Sequence, residues 1–268
     1  MKLAVHESGN PNHPAIIFLH GLGVSSWMWH DQIEALKGDY YCLAIDLPGN
    51  GESHQAKWVS FDDTADQLAE IIRSKTFDGH AHVVGLSLGG YTALHLAARY
   101  PEQVLSTVVS GVTAVPLMRS FLHKPVSALF SRMLKFKLMG RLSAHMMQFP
   151  EDIIPVYMRD LERMSSAMIY AVYLEVLDFK VPNIPAESSK NLLISGGDKE
   201  AGAVIKSFKV FSEMFPAATV VQAPHAHHGW SGEHPQLFSD MISAWVEQKL
   251  LPAELEILHQ SSARFVAA

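Results

Sequence analysis

Hydrophobic and polar positions alternate along this chain in two distinct rhythms. Short, largely apolar runs occur at Ala15-Ile16-Ile17-Phe18-Leu19, Tyr40 to Leu47, Ala81-His82-Val83-Val84, Val104 to Val112, Asn191 to Ser195 and Ala218 to Gln222. Continuous apolarity over so few residues predicts strands buried on both faces. Between them, apolar residues recur at helical spacing. Trp27 to Leu36 predicts a short helix. Ser60 opens another, with Asp63 in capping-box position and Leu68, Ile71 and Ile72 on one face. A further helix follows Tyr91, and another spans about 203 to 215. Pro235 to Leu250 predicts a closing helix with a wide stripe of Leu237, Phe238, Met241, Ile242, Trp245 and Val246. Residues 3–7 read as an edge strand, ended by the turn cluster Ser8-Gly9-Asn10-Pro11. Apolar strands alternating with helices predict an α/β fold with a mostly parallel central sheet flanked by helices.

Residues 113 to 187 break that alternation. Their apolar spacing is helical throughout, and they carry Met118, Met133, Met139, Met146, Met147, Met158, Met164 and Met168. We read this segment as an inserted helical cap, or lid. The core is then 1–112 with 188–250, and 251–268 is a C-terminal tail that begins near Pro252 and is expected to add a short helix. Methionine adapts to irregular shapes, so the cap's methionines fit either a surface that repacks around a ligand or the cap's own core.

Composition narrows the partners. The chain has 268 residues, 48% of them hydrophobic, with a net charge of -6 and no basic run, so no nucleic-acid partner is expected. A single cysteine, Cys42, excludes an internal disulfide and a four-thiolate metal site. Residues Met1 to Glu7 show no leader pattern, and no apolar run approaches a membrane span, so we expect a cytoplasmic protein with no membrane partner. The sequence leaves a homo-oligomer open.

The candidate chemistry begins at Gly85-Leu86-Ser87-Leu88-Gly89-Gly90, between a strand and a helix. Gly-x-Ser-x-Gly in that context is the pattern of a nucleophile elbow, in which a serine sits on a sharp turn at a helix N-terminus. The flanking glycines allow strand and helix to approach. A serine hydroxyl needs a base within hydrogen-bond reach and an acid to orient that base. Acids follow the 191–195 strand at Asp198 and Glu200, and His225, His227 and His228 follow the 218–222 strand. His20-Gly21, Asp46 and Ser87 all fall at the carboxyl ends of their strands, where sites lie in parallel sheets. The three histidines have no carboxylate pattern and no common zinc spacing, so no metal is expected.

Together with His20-Gly21-Leu22-Gly23 and Asp46-Leu47-Pro48-Gly49-Asn50-Gly51-Glu52-Ser53, these features make the chain resemble the α/β-hydrolase superfamily, in its lidded serine esterase, lactonase and C–C hydrolase branch. The resemblance covers nearly everything outside the cap and tail. It implies Ser87 as nucleophile. It implies His228 as base, because that histidine stands seven residues before Pro235, with His227 as fallback. The family pattern puts the acid at Glu200, with Asp198 as the alternative. The resemblance also implies an oxyanion hole from the backbone N–H groups of Leu22 and Leu88. His20 is expected to brace its loop, and Asp46 to Ser53 to be turn structure. Trp27, Trp29 and Trp230 flank the site in sequence, and Trp27 and Trp230 are taken as candidate substrate contacts.

The expected function is hydrolysis of a small, largely apolar ester or lactone through an acyl-enzyme, without a cofactor. The same site is compatible with C–C cleavage or cofactor-free perhydrolysis. From a different class, a ligand receptor or scaffold with little turnover would use the fold without the chemistry.

Overall fold

The computed structural model describes residues 2–261. Eight strands form one sheet: β1 Val5–Ser8, β2 Ala15–Leu19, β3 Tyr41–Ile45, β4 Ala81–Leu86, β5 Val104–Ser110, β6 Leu192–Gly197, β7 Thr219–Ala223 and β8 Glu256–His259. Their order is β1-β3-β2-β4-β5-β6-β7-β8. The six strands from β2 to β7 pair in parallel, while β1 on β3 and β8 on β7 are antiparallel.

The helices follow in chain order. They are α1 His30–Leu36, α2 Phe61–Lys75, α3 Leu88–Arg99, α4 His123–Met133, α5 Lys137–Met146, α6 Ile154–Arg163, α7 Ser166–Leu177, α8 Ala186–Ser189, α9 Gly202–Met214, α10 Trp230–Glu233 and α11 Pro235–Val246. The start of α2 follows from its sequence: the Ser60 hydroxyl accepts the Asp63 N–H at 3.0 Å. Its buried residues Phe61, Ala65, Leu68, Ala69 and Ile72 then recur every three or four positions.

Strand alternation splits the core in two. Ile17, Leu19, Leu43, Ile45 and Val83 face the α2 and α3 side, with Phe61, Leu68 and Leu94. Ile16, Phe18, Cys42, Ala44 and Val84 face the other side, with Trp29, Phe238, Met241, Ile242 and Trp245. The Cys42 thiol is fully buried, and burial pushes its pKa up to about 12, so it is an inert apolar group here.

Helices α4 to α7 lie between β5 and β6 in the chain. Two carboxylates tie them to the core. Asp160 on α6 accepts the Ser25 hydroxyl and the Trp27 indole N–H, each at 2.7 Å. Glu175 on α7 accepts the Trp58 indole N–H at 2.6 Å and the Phe61 backbone N–H at 2.8 Å. Met168 rests on Gly49, where a Cβ would stand 2.4 Å from its Cγ. Met164 and Met168 are therefore buried packing residues. Of the cap methionines, Met147 reaches the cavity described below.

The tail departs from its expected helix. Residues 256–259 form strand β8, which pairs with β7. The edge of β7 offers unpaired backbone groups, and satisfying them outweighs local helix preference. Residues 262–268 of the tail lie outside the described residues. Among the described residues, no helix is long and apolar enough to cross a membrane.

Candidate active site

A cavity of about 410 Å3 opens between the carboxyl ends of the strands and the α4–α7 helices. Its size falls within the usual range for small-ligand sites.

Ser87 stands between β4 and α3 with φ +54° and ψ -115°, a conformation that costs a non-glycine residue roughly 1–3 kcal/mol. Its neighbours explain how the turn closes. A Cβ on Gly85 would lie 2.3 Å from the Gly89 carbonyl oxygen, and one on Gly89 would lie 2.0 Å from the Leu19 carbonyl oxygen. The Ser87 N–H donates to the Ser110 carbonyl at 2.8 Å, pinning the turn to the end of β5. Ser87 lines the cavity, as does His228.

His228 lies on the loop after β7. Its Nδ1 donates to the Glu200 carboxylate, with Oε2 at 2.9 Å and Oε1 at 3.0 Å. The Glu200 carboxylate is almost wholly buried. Burial alone would lower the histidine's pKa, but the hydrogen bond and charge of Glu200 outweigh it, and the net shift is upward. Gly111 makes room for this pair. With φ +67°, its missing Cβ would fall 2.6 Å from His228 Cε1 and 3.2 Å from Glu200 Oε1.

Asp198 stands elsewhere. Its Oδ1 accepts the Ala226 N–H at 3.0 Å, and hydrogen bonds from the His225 and Ala226 backbone hold its carboxyl below the usual aspartate range. Its work is to join the loop after β6 to the loop after β7. A Cβ on Gly197 would sit 1.8 Å from the Ala226 carbonyl oxygen, so these loops are in backbone contact. His227 turns away from His228: its Nδ1 and Glu233 Oε2 are 2.8 Å apart, and its N–H also donates to that carboxylate.

Leu22 and Leu88 both line the cavity. Leu88 opens α3, so its N–H is among the donors a helix cannot satisfy internally. Gly23, at φ +88°, turns the Leu22 loop. His20 is fully buried and links two loops. Its Nδ1 is 2.7 Å from the Gly21 carbonyl, and its Nε2 accepts the Leu47 N–H at 2.9 Å. Burial lowers its pKa, against raising contributions chiefly from Asp46, and keeps it neutral. Asp46 accepts the backbone N–H groups of Ser26 and Glu52, each at 2.8 Å, which is turn structure.

The tryptophans divide. Trp27 lines the cavity while its indole holds Asp160. Trp230 does not line it. Helix α10 turns this side chain under the sheet, where it is fully buried, donates to the Ser110 hydroxyl at 2.8 Å and packs on Phe238 at 4.5 Å between ring centroids. Trp230 is thus a core residue and not a substrate contact, and Trp29 is likewise buried between Phe18 and Phe238. The sequence reading gave no role to Asp160 or Gly111. Asp160 had a visible signal: a carboxylate on the same helical face as Tyr157, Leu161 and Met164.

The apolar wall comprises Val24, Phe130, Leu134, Tyr157, Tyr173 and Val176 among others. Among the described residues, the charged ones lining it besides the histidines are Asp31 and Glu233, and none is Lys or Arg.

Comparison with known proteins agrees with this architecture. A family profile described as alpha/beta hydrolase fold matches residues 14–149. An "AB hydrolase superfamily protein" of Gibberella zeae is 28% identical over 259 residues, covering 94% of this chain and 87% of that protein. A "3-oxoadipate enol-lactonase 1" of Acinetobacter baylyi is 31% identical over 112 residues, 42% of each chain. Among solved structures, a thermophilic esterase of Thermogutta terrifontis superposes with a TM-score of 0.72 at 21% identity, over 92% of this chain and 93% of that one.

Proposed function

The chain belongs to the α/β-hydrolase fold family and is an enzyme of that family, and from this premise we propose that it cleaves a small, largely apolar, uncharged ester or lactone through an acyl-serine intermediate. The coarser statement, a hydrolase of the esterase and lactonase type, rests on its relatives. The finer one rests chiefly on one observation: the His228 hydrogen bond to buried Glu200, beside a serine on a strained elbow in the same cavity.

In this reading Nδ1–H of His228 is held by Glu200, which leaves Nε2 as the acceptor. The Ser87 hydroxyl gives its proton to Nε2 as its oxygen attacks the carbonyl carbon. The N–H groups of Leu22 and Leu88 stabilise the oxyanion, each worth on the order of a hundredfold in rate. The imidazolium then passes that proton to the leaving alkoxide, and an acyl-serine remains. Water attacks next, giving its proton to His228. Collapse expels Ser87, which takes the proton back, and the acid is released. The absence of Lys and Arg from the lining favours an uncharged acyl group over one bearing a carboxylate.

A fluorophosphonate probe tests this directly. The expected result is labelling of the wild type, none in Ser87→Ala and a sharp reduction in His228→Ala, followed by turnover of short acyl esters. A folded wild type that stays unlabelled and turns over none of those esters would overturn the reading and turn attention to saturable ligand binding.

A further inference from the structure

Charge is unevenly spread in this chain. Between Glu102 and Glu151 there is no Asp or Glu, but there are six cations: Arg119, Lys124, Arg132, Lys135, Lys137 and Arg141. The rest of the chain then holds fifteen Lys and Arg against 27 Asp and Glu. The cationic stretch covers α4 and α5.

These helices also expose apolar side chains. Phe121, Leu129, Phe136, Leu138 and Leu142 are between 50% and 78% exposed. Leu129 and Arg132 share a face of α4, Phe121 lies in the single turn before that helix and Phe136 at the N-cap of α5, and Leu138, Arg141 and Leu142 share a face of α5. Lys135 is used within the cap, donating to the carbonyls of Leu161, Glu162 and Met164 at the end of α6. Lys137 stands 4.0 Å from Glu162. Among the described residues, Arg119, Lys124, Arg132 and Arg141 have no carboxylate partner within salt-bridge distance. The same stretch contributes Phe130, Leu134 and Ser143 to the cavity wall.

We propose that the outer face of residues 119–142, which carry α4 and the start of α5, docks on an anionic lipid surface, with Phe121, Leu129, Phe136, Leu138 and Leu142 entering the headgroup boundary and Arg119, Lys124, Arg132 and Arg141 meeting lipid phosphates. Exposed Leu and Phe interleaved with long cationic side chains is the chemistry of an interfacial helix. Charge complementarity selects anionic lipid over neutral lipid. Position selects lipid over an acidic protein, because the docking helices are also the wall of an apolar cavity without cations, and molecules that fit such a cavity partition into bilayers. The chain is held by two helices lying on the surface, with none crossing it. This departs from the sequence expectation of no membrane partner, which rested on the lack of a leader pattern and of a span-length apolar run.

The test is sedimentation of the full chain with phosphatidylcholine vesicles, with and without one third phosphatidylglycerol, at 50 and 500 mM salt. We expect binding to the anionic vesicles only and loss at high salt. We also expect about tenfold or greater weakening in Arg132→Glu/Arg141→Glu and in Phe136→Ser/Leu138→Ser. Unchanged melting temperature and short-ester hydrolysis in these variants would show that the fold is intact. The readout is binding, so it stands apart from the catalytic proposal. No binding to anionic vesicles at low salt, equal binding to neutral ones, or indifference to both double variants would each overturn the proposal. A dimer by light scattering that these variants disrupt, with no vesicle binding, would assign the face to a second copy instead.

Discussion

The Glu200 carboxylate meets the His228 imidazole at 2.9 Å, and only a missing Cβ at Gly111 leaves space for both side chains. Glu200 approaches from the β6 loop, two residues beyond Asp198. Glu200→Gln should therefore lower kcat by about 10²- to 10⁴-fold, because it removes the charge that stabilises the imidazolium. Asp198→Asn should cost less than about tenfold in kcat while lowering the melting temperature, since Asp198 holds the Ala226 loop. Steady-state kinetics on a short acyl ester separate the two. A larger loss in Asp198→Asn would reverse the assignment.

The pH profile follows from the same pair. In the proposed mechanism His228 must be neutral to accept the serine proton, and its pKa lies above the ordinary value of about 6.5. kcat/KM should rise with pH through a midpoint above that value. In Glu200→Gln the raising influence is gone and the lowering effect of burial is left, so the midpoint of the residual activity should move to lower pH. A profile unchanged in midpoint would disconnect Glu200 from the titrating base.

Gly111→Ala places a methyl against His228 Cε1 in a backbone region that L residues avoid. We expect loss of most activity, with destabilisation of about 1–3 kcal/mol. Gly38→Ala is the control, because a Cβ there meets nothing within 4 Å. Urea denaturation and ester turnover, read together, distinguish a displaced base from general unfolding.

The tryptophans should behave differently when truncated. Trp230→Ala opens a void in the buried layer and leaves the Ser110 hydroxyl without its donor, costing about 3–5 kcal/mol. Trp27→Ala should change KM and acyl-chain preference more than stability, since it removes cavity wall along with one of the Asp160 donors. Melting curves and a chain-length series of esters provide the comparison.

His82 makes a prediction about acid stability. Burial lowers its pKa from 6.5 to about 4 in the fold, so the unfolded chain binds the extra proton first. Its contribution is intact above pH 6.5 and is lost as pH falls toward 4. Between pH 7 and 5 the wild type should lose on the order of 1–2 kcal/mol more than His82→Gln, measured by urea denaturation. Equal losses would mean that the ring is protonated in the fold.

The six parallel strands were legible because strands covered on both faces must be apolar throughout, and each appears within a few residues of its expected place. The elbow was legible because its glycines answer a steric need that few other residues meet. Other features depend on the third dimension. Residues Glu256 to His259 are mostly exposed and carry no apolar period, so their strand becomes visible only beside β7. Trp230 is two residues from His228 in sequence, yet the short helix between sheet and α11 sends it to the opposite side of the β-layer. The methionines between 113 and 187 were ambiguous because the same flexible side chain fills a core or lines a cavity, and only three-dimensional contacts decide: Met168 packs on Gly49, while Met147 reaches the cavity.

Strand β8 caps the edge of β7, the strand that leads into the His228 loop. An uncovered edge of this kind is a template for pairing with other chains. Shortening the protein before Glu256 would thus be felt first as self-association at high concentration and during expression. Turnover measured on the fraction still dispersed could then look almost normal. The solubility of this enzyme and the loop that carries His228 share a boundary.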